Sequence, residues 1–330
     1  MNAAGLRLGL GALAALLLLA APWLLREFHL HLLTEILILA LFATAFNLLF
    51  GYTGLLSFGQ AAYFGVGAYA TALCLKGVVP SLPLAILAAA LASAALAAII
   101  GYLCVRRDEI YFAMVTLAFG QLVFAVLWRW RGVTGGSDGI GGIPRTELGV
   151  GPLSIDLART EAYYYFTLAV VALCLYLIFR ITRSPLGLTL RAIRDNPRRV
   201  DYLGIPMRRY RLISFVCAGF FTGVAGALFA PYQGTVAPTL ADWIGSAEPV
   251  MMTLLGGPGV FLGPALGAAL FLILKETIQV YTDYWPLVLG SAVILLVLFL
   301  PKGVAHVLLA RPSRLRRPAP PVARPGEARR

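Results

Sequence analysis

Very few side chains in this 330-residue chain are spaced so that they could make or break a bond. His29, His31 and His306 fall near the ends of apolar runs and no HxxxH or CxxC pair occurs, so the spacing that holds a metal ion is missing. Cys74, Cys104, Cys174 and Cys217 stand singly inside apolar blocks and read as small buried hydrophobes. Thr134-Gly135-Gly136-Ser137-Asp138-Gly139, followed by Gly141 and Gly142, could in principle cradle a phosphate. No strand precedes it, and neither GxxxxGKS nor GxxxxGKT occurs anywhere, which argues against a nucleotide site. Asp108 and Glu109 flank Arg106 and Arg107 as a charged turn. Glu35 and Glu276 would be costly at membrane depth, but each is close enough to the end of an apolar run to sit at an interface, and Glu276 could pair with Lys275. With no converging nucleophile, base and metal set, the chain is not expected to be an enzyme.

What remains is the chemistry of passage. Two apolar stretches are broken by glycine. The first runs from Gly51 through Gly54, Ser57, Gly59, Gln60 and Tyr63; the second holds Gly256, Gly257, Pro258 and Gly259. Helix breaks in hydrocarbon survive only where protein or a water-filled cavity covers them, so such segments point to a translocation path. Close packing through small residues competes with that reading, because Gly259, Gly263 and Gly267 recur every fourth residue. For Ser57, Gln60 and Tyr63, a path lining and interhelical hydrogen bonding are equally open.

The elements that must position these residues follow from composition. The chain is 60% hydrophobic and 13% charged, and its apolar residues come in long blocks, which marks an integral membrane protein. Ten helical spans are expected: Leu8–Leu25, Leu30–Phe50, Ser57–Leu75, Leu84–Val105, Ile110–Leu127, Tyr163–Phe179, Leu212–Ala230, a short and then a longer segment between Gly245 and Val280, and Pro286–Leu300. The first reads as a helix rather than a cleaved signal, since Ala20-Ala21-Pro22 is a poor cleavage site. Arg129 to Glu161 reads as a loop, and residues 311–330 as a disordered basic tail after a membrane domain of residues 1–310. The net charge of +12 follows topology, not nucleic-acid binding: with both termini inside, the inner segments collect 20 of the 27 lysines and arginines. Trp23, Trp128, Trp130, Trp243 and Trp285 all fall at expected outer ends.

The densest charge lies in the inner loop from Arg180 to Arg211, which holds nine arginines against Asp195 and Asp201. Ser184 before Pro185 and Asn196 before Pro197 each suit a helix start, while Gly204 and Pro206 close the second helix after Leu203. On that brief helix, Val200 and Leu203 would share an apolar edge with Tyr202 alongside, and Arg198 and Arg199 would face water or a partner.

These residues also carry a resemblance. The run FGYTGLLSFGQAAYFGVGAY over residues 50–69 resembles the signature of the branched-chain amino acid ABC-transporter permeases, LivM-type. So do YFAMVTLAFG (111–120) with TGGSDGI (134–140), SPLG (184–187), RAIRDN (191–196), LGI (203–205) and LGGPG (255–259), and together they cover roughly residues 30 to 303. Two positions depart from that family: Gln60 stands where histidine is expected in many relatives, and Asp138 where asparagine is common. The resemblance implies a multi-pass subunit of the bacterial inner membrane. It binds no cofactor itself, and ATP is used by two cytoplasmic ATPase partners, beside a second related permease and an external solute-binding protein. Arg194, Asn196, Arg198, Arg199, Val200, Tyr202, Leu203 and Gly204 would form the ATPase coupling element. Branched-chain amino acids lead as cargo, with urea, amides or aromatic acids as same-family alternatives; a self-sufficient transporter would instead show paired ionisable residues deep in its spans.

Overall fold

The computed structural model describes residues 16–78, 81–106, 109–145, 148–150, 153–300 and 303–309. A first helix, α1, covers 16–24. It is followed by α2 (Glu27–Asn47), which widens into a π-turn at Leu48–Tyr52, and by α3 (Gln60–Leu73), which ends in a second π-turn at Cys74–Val78. Then come α4 (Leu82–Cys104), α5 (Glu109–Arg129), the single turn α6 (Arg131–Thr134) and α7 (Thr160–Arg183). The basic loop forms α8 (Pro185–Asp195) and α9 (Pro197–Tyr202). The chain continues as α10 (Met207–Gln233), α11 (Trp243–Gly256), α12 (Gly263–Tyr281), α13 (Trp285–Phe299) and α14 (Val304–Leu309).

Six of these helical segments are long and apolar enough to cross a membrane: Glu27–Tyr52, Leu82–Cys104, Ile110–Arg129, Thr160–Arg183, Met207–Gln233 and Gly263–Tyr281. Large apolar side chains face outward as well as inward, as at Leu87, Leu91, Met114, Leu122 and Leu173. A helix apolar on every side belongs in lipid or against another apolar helix, so the architecture is that of an α-helical multi-pass membrane protein.

Three of the expected elements differ in the structure. The third span starts at Gln60 rather than Ser57, because residues 54–59 are not helical. The short eighth segment, α11, has 14 residues and reaches only about 21 Å, less than a bilayer core. The loop from Arg129 to Glu161 contains secondary structure: a 3₁₀ turn at Gly136–Asp138 and three short strands, β1 (Ile140–Gly141), β2 (Leu148–Val150) and β3 (Leu153–Ile155). β2 pairs with β3, and β1 pairs antiparallel with β4 (Thr235–Val236), which pins the loop to the far end of α10. Arg145 strengthens that join by donating to the carbonyls of Pro231 and Tyr232, each at 3.1 Å, and so occupies acceptors that the end of α10 leaves free. Of the amino-terminal span, residues 8–15 lie outside the described residues, as does the tail from 311.

The core is built where α10 packs against α3, α4 and α2. Small residues set the spacing. A Cβ on Gly67 of α3 would overlap the backbone of Gly223 in α10, and one on Gly226 would overlap the carbonyl of Phe64. Gly219 and Gly223 meet Ala97 and Ser93 of α4 in the same way. Backbones this close gain dispersion contacts where lipid gives little hydrophobic drive for helix association. Phe215 anchors the cluster, with edge-on contacts to Tyr63 at 5.6 Å and Phe112 at 5.7 Å between centroids. Ser93 donates to the Tyr63 carbonyl at 2.9 Å.

Gly67→Leu is therefore expected to force α3 from α10 and cost about 2 kcal/mol or more, whereas Gly290→Leu, whose Cβ would meet open space, should change stability by less than about 0.5 kcal/mol. Thermal unfolding of the two purified variants in one detergent checks this; equal midpoints would refute the packing account.

Candidate translocation path and coupling loop

At the first break, α2 gives way because Gly51 and Gly54 weaken the helix, and Gly54 takes φ +80°, a left-handed conformation that side chains resist. The carbonyls along the break are met one by one. Leu48 accepts from the Thr53 hydroxyl at 3.0 Å and the Ser214 hydroxyl at 3.4 Å. Leu49 accepts from Leu55 N at 3.1 Å, Phe50 from Gly54 N at 3.2 Å, and Gly51 from the Arg194 guanidinium. Thr53 and Ser214 also share a 2.7 Å hydrogen bond that ties the break to α10.

Beyond it the non-helical segment and the first turn of α3 lean on two other helices. Phe58 N donates to the Thr116 hydroxyl of α5 at 3.3 Å, Gly59 N to Ser57 Oγ at 3.4 Å, and Ala61 N to the Ser246 hydroxyl of α11 at 3.0 Å. Gly59 is required there, since a Cβ would press 2.5 Å from the Thr116 carbonyl. Ser57, Gln60 and Tyr63 are all buried. The Gln60 carboxamide, like that of Asn47, is fully enclosed and finds no hydrogen-bond partner among the described residues.

The second break joins α11 to α12. Gly257 turns the chain at φ 106°, and its N–H donates to the Thr253 carbonyl at 2.8 Å. Gly256, Gly263 and Gly267 serve packing: a Cβ on Gly256 would overlap the Gly263 carbonyl, and one on Gly267 the Met252 carbonyl. Gly259, by contrast, has open space around it. The two breaks do not sit apart in the bundle. Gly51 faces the Pro258 carbonyl so closely that a Cβ would overlap it, and Gly303 abuts the backbone of Gly257 from the other side.

Four residues of this region escaped the sequence analysis: Thr116, Gln121, Asp242 and Ser246. Asp242 caps α11 by accepting from Trp243 N at 2.7 Å, and its same oxygen accepts from Gln121 Nε2 at 2.8 Å. Gln121 lies eight residues before the Arg129 end of α5, a rise of about 12 Å. Trp243 therefore begins α11 level with Gln121, well inside the Arg129 end of α5. The chain dips back after β4, with Ala241 packed on Gly65 of α3, before α11 begins. Asp242 ahead of an apolar run was a legible helix start, but nothing local announced the dip. Partway along α2, Glu35 accepts from the Tyr232 hydroxyl at 3.1 Å. Lys275 pairs with Glu248 of α11 at 3.5 Å rather than with Glu276. Among the described residues no group of three His, Cys, Asp or Glu could hold a metal ion.

In the basic loop, Asn196 caps α9 by accepting from Arg199 N at 3.1 Å, and Gly204 ends it at φ +71°. Ser184 precedes α8 but does not cap it, because its hydroxyl donates back to the Ile181 carbonyl at 2.7 Å. The expected shared edge of Val200, Tyr202 and Leu203 divides: Val200 is 3% exposed, while Tyr202 is 90% and Leu203 75% exposed. The helix stops at Tyr202, so Leu203 leaves the helical register and turns outward while Val200 points inward. Arg198 and Arg199 are exposed. Arg194 turns back toward the first break, and Arg191 stacks over Tyr52 at 4.9 Å.

The family model described as the permease component of branched-chain amino acid transport systems matches residues 28–300. The high-affinity branched-chain amino acid transport system permease protein LivM of Escherichia coli K12 is 30% identical, over 88% of this chain and 74% of its own length. A probable LivM of Methanocaldococcus jannaschii is 26% identical over 71% of this chain and 76% of its own. LivH of Escherichia coli K12 is 24% identical over 83% and 92% respectively. No solved structure matches. On this basis the chain belongs to the family of branched-chain amino acid transport permeases, on its LivM side.

Proposed function

We propose that the chain is the LivM-type permease subunit of an ATP-driven importer of branched-chain amino acids in the bacterial inner membrane. In this reading it crosses the membrane ten times, with residues 1–310 as the permease domain and both termini and the α8–α9 loop in the cytosol. Two ATPase subunits hydrolyse ATP, a second related permease of LivH type completes the path, and an external binding protein delivers the solute. The relatives' names support the cargo class and the permease pair. The distribution of 27 basic residues supports the orientation.

The observation that carries the reading is α9. It is a capped turn that presents Tyr202 and Leu203 to solvent, flanked by Arg198 and Arg199. Large exposed apolar side chains ringed by cations suit a groove on an ATPase subunit. Val200 is the foot of the element and not a contact. The path itself runs past the two breaks, with Gly54, Ser57, Gly59, Gln60, Tyr63, Gly256, Gly257 and Gly259 as its candidate lining, joined by Gln121 and Asp242. A buried carboxamide with no partner is costly where it stands. It gains a role if water or solute reaches it in another state of the cycle.

In vesicles holding the whole complex, leucine uptake should require ATP and exceed uptake of urea or benzoate; accumulation by the isolated chain would refute the reading. Tyr202→Asp with Leu203→Asp should lower ATPase co-purification by about tenfold or more, and undiminished co-purification would remove α9 as the contact. Gln60→Met should leave thermal stability unchanged or raise it by up to about 1 kcal/mol while slowing uptake. Normal uptake with raised stability would take Gln60 off the path.

A further inference from the structure

The Arg194 side chain turns back onto its own chain. Its Nη1 donates to the Gly51 carbonyl, while Nε and Nη2 hold one oxygen of Asp195 at 3.0 and 2.8 Å. Its stem lies along the face of Gly54, where a Cβ would come within 2.8 Å of Arg194 Cγ. Two further contacts bind the same helix to the same place: Leu190 is buried with Leu48 and Tyr52, and Arg191 stacks over the Tyr52 ring.

Consider which acceptors the first break creates. The carbonyls of Leu49 and Phe50 are met by backbone N–H groups a few residues on. That of Leu48 is met by Thr53 and by Ser214 of α10. The Gly51 carbonyl alone among these four takes its donor from the basic loop. Gly51 in turn lies against Pro258 of the second break. A displacement of α8 thus reaches the first break through the Leu190 packing, the Arg191 stack and one charge-assisted hydrogen bond from Arg194, the last of these on the residue that touches the second break.

We propose that Arg194 is a positioning residue that latches α8 to the first break, so that movement of the α8–α9 hairpin opens or closes the segment from Gly51 to Gly59. This rests on the reading of the chain as an ATP-driven permease. It reassigns Arg194, since a guanidinium whose three nitrogens are already engaged within its own chain is a poor source of charge for an ATPase surface; Arg198 and Arg199 supply that. Asp195 orients the fork, and the glycine at position 54 leaves room for the stem.

The test uses the whole complex in proteoliposomes and reads radiolabelled leucine accumulated per ATP hydrolysed. Arg194→Met keeps the stem on Gly54 and removes every donor, and it is expected to lower that ratio by about fivefold or more with the ATPase still co-purifying. Arg194→Lys, which restores one donor and the charge, should recover it to within about twofold. A wild-type ratio in R194M overturns the latch, as does a lysine variant no better than methionine. Loss of ATPase co-purification with the ratio unchanged in the remaining complexes also overturns it and returns Arg194 to the partner surface. If the wild-type chain accumulates leucine without ATPase subunits, the permease reading falls instead, so the two failures are distinguishable.

Discussion

Everything in this fold answers to one constraint: a backbone carbonyl or amide inside hydrocarbon must be given a partner by the protein. Unbroken helices meet it automatically, which is why α4, α5 and α7 can carry apolar side chains on their exposed faces as well as their buried ones. Where a helix stops, partners have to be imported. The first break takes them from Thr53, Ser214 and Arg194, and the non-helical segment after it, with the first turn of α3, from Thr116 and Ser246. Each partner comes from a different stretch of chain. Satisfying one irregular segment therefore fixes the mutual placement of α5, α8, α10 and α11.

The same requirement explains the distribution of small residues. To bring donors within reach, α3 must lie against α10 and α10 against α4 at nearly backbone contact, and Gly67, Gly219, Gly223 and Gly226 permit that. Glycine thus serves two purposes that look alike in sequence. In the α3–α10–α4 layer it allows approach without any change of backbone direction. At Gly54, Gly204 and Gly257 it allows a left-handed turn. Gly256 and Gly263 belong to the first kind although they sit beside the second break.

Much of this was legible from residue types. Long apolar runs set α2, α4, α5, α7 and α10, and Asn196-Pro197 with Gly204 set the limits of α9, because caps and turns are local events with local residue preferences. The failures are non-local. Ser57 to Gly59 carries no proline or charge that would stop a helix, and the acceptors that meet Phe58 N and Ala61 N, Thr116 and Ser246, lie far away in sequence. The recess of Asp242 depends on Gln121 across the bundle. Val200 and Leu203 are three apart, but the helix ends between them, and a one-residue difference in a helix end reverses which side chain faces out.

The contact between Gly303 and Gly257 bears on how the protein is made. The turn after α11 is synthesised well before the residues that cover it, with α12 and α13 made in between. Only when α14 arrives does Gly303, at φ +77°, close over that turn. Completion of the second break therefore depends on a segment far along the chain, and a chain cut before Gly303 is expected to leave that turn uncovered.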